Sequence, residues 1–234
     1  MDVDFTTVAK CLASPARATM VGYLLEGRAM TASELARAAG VRPSTGSEHL
    51  AQLVAGGLVT VTKQGRNRYF SITNIETAEA LGSLAQICPI NAARSLNGAK
   101  EDDAQRFARI CYDHVGGRLG VAILDGLLAA KWLCADKSGF AVTASGEPGL
   151  RSLGVDLGAV RSQRRSFARA CMDWTEHRPH LAGALGAGIA AALLDRGWVE
   201  RRVRMRGLRV TSPGASGLRL LGVHVPRAAR HPAA

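Results

Sequence analysis

The sequence has few of the features that mark a membrane, secreted or disulfide-stabilised protein. No apolar run reaches the roughly 18–20 residues that a membrane span needs, and the first ten residues, MDVDFTTVAK, contain no apolar signal core. The five cysteines are odd in number and widely spread, which is not the pattern of a disulfide framework. These absences predict a cytoplasmic protein with reduced thiols.

Catalytic signatures are also missing. The chain has no Walker loop, no glycine-rich dinucleotide fingerprint after a strand, no G-x-S-x-G elbow and no H-E-x-x-H pair. The absence of these motifs predicts that the protein is not an enzyme.

Positive charge is what the sequence has in excess. Its 30 lysines and arginines outnumber 19 acidic residues and give a net charge of +11. Such a balance favours a polyanionic partner such as DNA. An arginine-rich composition with solvated charged faces is the other interpretation. The length, 234 residues, allows one large domain or two small ones.

The most specific pattern lies in residues 31–72, which predict two short helices, a turn between them and a two-stranded hairpin. Thr31 and Glu34 predict a capping box at the start of the first helix. Gly40 predicts its end, and Pro43 suits the first turn of the next helix. This outline is that of a winged helix-turn-helix, which places its second helix in the major groove of DNA.

Short polar side chains gather at the start of that second helix, where a recognition helix meets phosphates and base edges. Three basic residues in the hairpin would form a wing beside the phosphate backbone. Two alternatives stay open, since Ser44 would also serve as a helix cap and His49 would also pack against the hairpin. The predicted DNA-binding residues are Ser44, Thr45, Ser47, His49, Gln52, Lys63, Arg66 and Arg68.

Five segments of the first half resemble the ArsR/SmtB family of bacterial repressors: LASPAR at 12–17, residues 31–40, SEHLAQL at 47–53, GGLV at 56–59 and the wing at 63–71. The resemblance spans roughly residues 5–88. It implies a repressor that binds a near-palindromic operator and is released by an inducer. It also implies a homodimer built on the N-terminal helix and the helix at 75–87.

The resemblance breaks at the family's sensing sites. Metal-sensing members carry a Cys-x-Cys pair where this chain has Ser33–Ala36. Other members place histidines and carboxylates on the last dimer helix, where this chain has Glu76 and Glu79 but no histidine. An effector site is therefore expected elsewhere.

The second half contains an internal repeat. HVGGRLG at 114–120 matches HLAGALG at 180–186, and Trp132 matches Trp198 as a core anchor. Each repeat, at about 102–156 and 163–225, is interpreted as helix, helix, hairpin, helix, with a shared core between the two.

The predicted fold class is therefore mainly α with small β-hairpins (α+β), a winged helix-turn-helix followed by a C-terminal domain of two helix-helix-hairpin-helix repeats. The predicted domains are a DNA-binding and dimerisation domain at 1–88, a linker at 89–101 and an effector-sensing domain at 102–234.

Side chains that could bind a metal fall at matching places in the two repeats. Cys111 and His114 are three residues apart and would share one face of a helix. Thiolates and imidazoles suit zinc or a metalloid, whereas DNA binding itself requires no cofactor. The effector or metal candidates are Cys111, Asp113, His114, Cys171, His177 and His180.

Three interpretations of the second half stay open. It holds a small-molecule pocket at the repeat interface, or it is a metal- or thiol-responsive sensor that uses Cys111, His114, Cys171 and His180. Otherwise it serves assembly alone, in a non-inducible architectural DNA binder.

A basic hairpin at 200–209 has no counterpart in the first repeat. Its alternating Arg201, Arg204 and Arg206 form either a solvated edge that blocks sheet pairing or an additional phosphate contact.

Overall fold

The computed structural model describes residues 3–89, 96–202 and 207–225, with the backbone alone at 96–101. It divides the chain into two compact units, Met1–Leu84 and Ala85–Ala234. Among the described residues, no helix is both long and apolar enough to cross a membrane.

The first unit is a helical bundle with one small sheet. Its elements are α1 (Phe5–Leu12), α2 (Pro15–Leu24), β1 (Met30–Thr31), α3 (Ala32–Ala38), α4 (Pro43–Ala55), β2 (Val59–Gln64), β3 (Asn67–Ile72) and α5 (Ile75–Ala85). The sheet is antiparallel with strand order β1-β3-β2. Its core is formed by apolar side chains of α2, α3, α4 and the hairpin, including Met20, Leu24, Leu35, Leu50 and Leu53.

Local signals explain most of these boundaries. Ser14 is the N-cap of α2, and Pro15 follows in the first helical turn. Thr31 and Glu34 form the predicted capping box of α3. Gly40, just beyond α3, has a φ of +65°, which glycine adopts at low cost. The predicted helices and wing are therefore confirmed.

The wing differs from the prediction in one detail. Its two-residue loop is Gly65-Arg66, and Asn67 is the first residue of β3. Strand β1 was not predicted. Its two residues pair with Tyr69 and Phe70 and widen the hairpin to a three-stranded sheet.

The second unit repeats one order of elements, hairpin, helix, hairpin, helix. Helix α6 (Leu96–Phe107) comes first. The first repeat is β4 (Arg109–Cys111), β5 (His114–Gly116), α7 (Gly117–Ala129), β6 (Leu133–Asp136), β7 (Gly139–Val142) and α8 (Gly146–Ser152). After α9 (Leu157–Arg161) the second is β8 (Arg169–Met172), β9 (Pro179–Ala182), α10 (Gly183–Asp195), β10 (Val199–Arg201), β11 (Leu208–Val210) and α11 (Ser212–Leu220).

The prediction of two helices at the start of each repeat is wrong. Cys111 and His114 are cross-strand partners in the β4–β5 hairpin and not neighbours on a helix. Tyr112 turns the chain with a φ of +62°, and Gly117 follows the hairpin with a φ of +77°. Both conformations interrupt a right-handed helix, although the apolar spacing of this short segment is compatible with one.

The linker prediction is also incorrect in part. Helix α6 begins at Leu96, inside the segment 89–101 that was expected to be a linker. Alanine, lysine, glutamate and glutamine in α6 are strong helix formers and outweigh Gly98. Residues 90–95, and Arg204 and Arg206 of the basic hairpin, lie outside the described residues. Within that hairpin, Arg209 forms an ion pair with Glu200.

Both repeats contribute to one core in the second unit. Its members include Leu119, Leu124 and Leu150 from the first repeat and Leu185, Leu193 and Leu208 from the second. Trp132 and Trp198 pack against this core as predicted. Each indole lies over a glycine of the last helix of its repeat, where an added Cβ would approach the ring to 2.2 Å, at Gly149 and Gly217 respectively.

Candidate functional site

The exposed face of the first unit begins at the N-terminus of α4. Pro43 is the first helical residue, and the N-cap, Arg42, makes no side-chain capping bond, so Ser44 is not the cap. Ser44 and Ser47 are exposed, and Thr45 is half-buried. The Ser47 hydroxyl donates to the Pro43 carbonyl at 3.0 Å. The first turn of α4 contains no acidic residue, which leaves its positive dipole end available to an anion.

Arg17 connects the end of α1 to the middle of α4, a role that was not predicted from the sequence. Its guanidinium donates to the carbonyls of Cys11 at 2.7 Å and Lys10 at 2.6 Å, at the end of α1. It also donates to the Gln52 side-chain oxygen at 2.5 Å and lies 3.4 Å from His49 Nδ1. His49 and Gln52 therefore contact Arg17, and a contact of their other atoms with bases stays a prediction. The only sequence signal for Arg17 was its place in the LASPAR segment.

The wing presents three exposed cations. Lys63 and Arg68 are direct cross-strand partners, and Arg66 occupies the loop. No carboxylate in the described part of the chain pairs with any of them. Like charges directly opposite each other in a sheet are unfavourable. This cost would be relieved if a polyanion such as a phosphate backbone lay against the wing.

The second unit brings four metal-capable side chains together. Cys111 and His114 are partners across β4–β5, and Cys171 and His180 are partners across β8–β9. One ligand atom from each of the four lies within 4.8 Å of all the others. Both histidines are buried, His180 completely, and both cysteines are half-buried.

The two imidazoles face each other. His114 Nε2 lies 3.1 Å from His180 Nε2. On the opposite side of each ring is a carboxylate. Asp113 Oδ1 lies 3.1 Å from His114 Nδ1. Asp173 Oδ2 lies 3.3 Å from His180 Nδ1, a longer and less well aligned approach.

Both carboxylates are held in place by arginines. Arg165 donates to Asp113 Oδ2 at 2.5 Å. Arg109 donates to Asp173 Oδ2 at 2.8 Å, and the Gly117 N–H donates to the same oxygen at 2.7 Å. Burial alone would raise the pKa of Asp173, but the hydrogen bond from His180 and the charge of Arg109 hold it well below its usual value.

The pKa values of the two cysteine thiols are shifted in opposite directions. A hydrogen bond from the Cys111 thiol, followed by those from His114 and His180, lowers the pKa of the Cys171 thiol strongly. The same bond to Cys171, together with burial, raises the pKa of Cys111. These shifts favour the thiolate at Cys171 over Cys111, and the thiolate is the form that acts as a metal ligand or nucleophile.

Two of the six predicted effector or metal residues do not contribute a ligand atom to this cluster. Asp113 lies behind His114 and positions its ring. His177 is exposed, in the loop between β8 and β9 with a φ of +50°. That hairpin has a longer loop than β4–β5, and the extra residues place His177 away from the strand pair. Asp173, Arg109 and Arg165 complete the site. An aspartate two residues after each cysteine was the signal for the carboxylates.

Two comparisons with known proteins indicate the same kind of protein. A family model for a helix-turn-helix domain matches residues 12–62. The HTH-type transcriptional regulator YdfF of Bacillus subtilis is 35% identical over 214 residues, which covers 92% of this chain and 95% of that protein.

Several solved structures match about a third of this chain. A homodimeric winged helix-turn-helix domain from Mycobacterium bovis, a possible ArsR-family regulator, is 31% identical over 35% of this chain and 73% of its own length, with a TM-score of 0.32. The transcriptional repressor BigR of Xylella fastidiosa is 25% identical over 36% of this chain and 86% of its own, with a TM-score of 0.33. Because the similarity to the Bacillus regulator extends over nearly the whole length of both proteins, the chain belongs to the family of HTH-type, DNA-binding transcriptional regulators.

Proposed function

We propose that the protein binds operator DNA as a homodimer, represses transcription, and is released when an effector binds in the second unit. The DNA-binding part of this proposal rests on the first turn of α4, which contains no acidic residue, together with the unpaired cations of the wing. Ser44, Thr45 and Ser47 would read base edges or phosphates from the helix, and Lys63, Arg66 and Arg68 would follow the backbone.

Exposed apolar side chains support the dimer. On α1, Phe5 is 76% exposed, and at the end of α5 and just beyond it Leu84 and Ile87 are 40% and 81% exposed. These are the two helices that the ArsR/SmtB resemblance assigns to dimerisation. Exposed apolar side chains that cluster on two helices mark a surface that a partner buries. We propose that the partner is a second copy of the chain.

The effector site of this proposal is the Cys111, His114, Cys171 and His180 cluster. Buried polar groups cost stability unless they are satisfied, and a bound effector would satisfy the two buried imidazoles and the two thiols that lie at matching places in the repeats. The alternative function is a non-inducible architectural DNA binder, in which the second unit serves assembly alone.

A direct test is binding to the DNA immediately upstream of the protein's own gene, measured by fluorescence anisotropy at physiological salt against a scrambled duplex of equal length. A sequence-specific regulator should prefer the upstream DNA by about 10³-fold or more. Equal affinity for both duplexes would contradict autoregulation from that site and favour the architectural alternative.

The wing makes a separate prediction about salt dependence. Arg66→Ala and Arg68→Ala should each weaken binding to specific and random DNA alike and lower the slope of log K against log salt by roughly one per lost phosphate contact. The matched control is Arg219→Ala, an exposed arginine of α11 in the second unit. An unchanged slope in both wing variants would remove the wing from the DNA interface.

The dimer prediction concerns Phe5. Phe5→Glu should weaken self-association by about tenfold or more, because it places an unpaired charge in an apolar interface. Sedimentation velocity over a range of concentrations measures this change. Leu220→Glu is the control, since Leu220 is 88% exposed on α11 and lies on neither dimer helix. Dimerisation that survives Phe5→Glu but is lost in Leu220→Glu would contradict the proposed interface.

A further inference from the structure

We infer that Cys111, His114, Cys171 and His180 bind one thiophilic metal ion of the zinc class, with two thiolate and two imidazole ligands. We further infer that this ion is the effector. The second statement rests on the proposed function, whereas the metal site itself does not.

The separations between the donor atoms suit a single tetrahedral ion. With Zn–S near 2.3 Å and Zn–N near 2.0–2.1 Å, neighbouring ligand atoms of a tetrahedron are roughly 3.3–3.8 Å apart. The two Nε2 atoms are 3.1 Å apart, and no pair among the four ligand atoms exceeds 4.8 Å. Small side-chain rotations would bring all four to one centre without movement of the hairpins.

The orientation of the imidazoles is the strongest argument for a cation. A carboxylate beside each Nδ1 favours the tautomer that carries its proton on Nδ1. The Nε2 lone pairs of His114 and His180 then point at each other across 3.1 Å. This contact is repulsive for two neutral rings of that tautomer, and either a proton on one Nε2 or a cation between the rings relieves it. A proton would satisfy the two nitrogens only, whereas a metal ion would satisfy the nitrogens and both sulfurs.

The surroundings of the four residues resemble the outer shell of a zinc site. Metal-bound histidines usually donate their second N–H to a carboxylate, which fixes the ring and raises its basicity. Here Asp113 and Asp173 occupy that position, and Arg165 and Arg109 hold the two carboxylates in turn.

The cavity that the structure describes beside the cluster is small, which favours an ion over an organic effector. A cavity of about 10 Å³, lined by Val115, Ile123, Leu181, Gly186 and Ile189, lies beside the two histidine strands. It has room for one water at most. An added Cβ at Gly120 or Gly186 would lie 3.4 or 3.3 Å from the Cβ of the histidine on the opposite repeat, so the helices also approach the cluster closely.

An ion at this position would link the two repeats. Each hairpin supplies one thiol and one imidazole, so the bound metal would connect β4–β5 to β8–β9. Neither hairpin alone offers more than two ligands. Metal binding should therefore make the two repeats more rigid relative to each other, and a change in rigidity is one way in which an effector can act.

The test uses the full-length, fully reduced chain, titrated with Co²⁺ as a spectroscopic substitute for Zn²⁺. We expect one cobalt per chain, the intense visible absorption of a tetrahedral site and a thiolate-to-cobalt charge-transfer band, all reversed by added Zn²⁺. Cys171→Ser and His180→Gln should abolish these signals. Asp113→Asn should weaken metal affinity about 10–100-fold, as is usual for outer-shell carboxylates.

The matched control is Cys134→Ser, since Cys134 is an exposed thiol on β6 outside the cluster. It should bind cobalt as the unaltered chain does. Circular dichroism of each variant before metal addition identifies any variant that fails to fold. If Cys171→Ser or His180→Gln does not fold, the cobalt affinity of Asp113→Asn is the deciding measurement. The inference is overturned if the reduced chain shows no charge-transfer band, or if Cys134→Ser loses the signal as fully as Cys171→Ser. It is also overturned if the two cysteines form a disulfide under mild oxidation while the reduced form binds no metal.

The same samples separate the metal site from the regulatory role. Operator affinity is measured by anisotropy with and without one equivalent of Zn²⁺, and we expect about a tenfold or larger loss on metal addition. Operator binding without any cobalt site would overturn the metal inference and leave the proposed function standing. A cobalt site in a protein that does not prefer its operator would overturn the proposed function and leave the metal site standing.

Discussion

Asp173→Ala should destabilise the second unit by about 3–5 kcal/mol, the usual cost of removing one partner of a buried ion pair. Asp173 is completely buried, and Arg109 is 4% exposed. The substitution leaves the Arg109 guanidinium buried, with the Gln105 carbonyl at 3.2 Å, the Thr175 hydroxyl at 3.3 Å and the Trp174 ring at 4.5 Å as remaining neighbours. It also removes the acceptor for the Gly117 N–H at the start of α7.

Tryptophan fluorescence isolates this effect. All three tryptophans of the chain, Trp132, Trp174 and Trp198, lie in the second unit, so urea unfolding followed by fluorescence reports on that unit alone. The measurement includes a chelator, which separates loss of the ion pair from loss of a bound metal. Asp173→Asn keeps the size of the side chain and one of its two oxygens but removes the charge, and should lose less stability than Asp173→Ala.

Asp125→Ala is the control for the ion pair. Asp125 pairs with Arg178 at 3.0 Å, but the two side chains are 49% and 59% exposed. An exposed pair of this kind contributes about 0–1 kcal/mol. Equal losses of stability in Asp125→Ala and Asp173→Ala would show that the buried Arg109–Asp173 pair contributes no more to stability than an exposed pair.

The first unit was predictable because its signals are local. A capping box at Thr31 and Glu34, a proline after Ser14 and a glycine beyond α3 each act within a few residues of the boundary that they set. The Arg17 contacts were not predictable in the same way. They join the end of α1 to the middle of α4, and no local pattern reports which polar groups meet after packing.

The second unit was less predictable because its strands are very short. Strands β4 and β5 have three residues each, too few for alternation to distinguish a strand from a helix. The turn between them depends on Tyr112 at positive φ, a residue without the usual turn signature. The identities of the metal-capable residues were visible in the repeat, but their convergence depends on packing between two separate hairpins about sixty residues apart.

Gly46→Ala should weaken operator binding by about 10–100-fold, because the added methyl forces the two helices of the helix-turn-helix apart. A Cβ at Gly46 would lie 2.6 Å from the Ala36 Cβ and 3.3 Å from the Ala36 Cα. The obstacle is a helix of the same motif and not the end of a flexible side chain, so α4 must shift against α3. Overpacking of this size typically costs about 1–3 kcal/mol, and the shift displaces the residues that face DNA.

A compensating substitution makes this prediction specific. Ala36→Gly removes the obstructing methyl from the opposite helix, so the double variant Ala36→Gly/Gly46→Ala moves one methyl group across the contact. Glycine within α3 costs about 1 kcal/mol of helix propensity, so recovery of stability should be partial. Operator affinity should recover more fully, since it depends on the spacing between the helices more than on the stability of α3.

The coupling between the two sites is measured with a double-mutant cycle on operator affinity. We expect the double variant to bind more tightly than Gly46→Ala alone. Tryptophan fluorescence of the second unit should be unchanged in all three variants, because neither residue belongs to it. If the two substitutions are simply additive, the close approach of α3 and α4 does not set the position of the recognition helix. If all three variants bind the operator as the unaltered chain does, α4 is not the element that reads it.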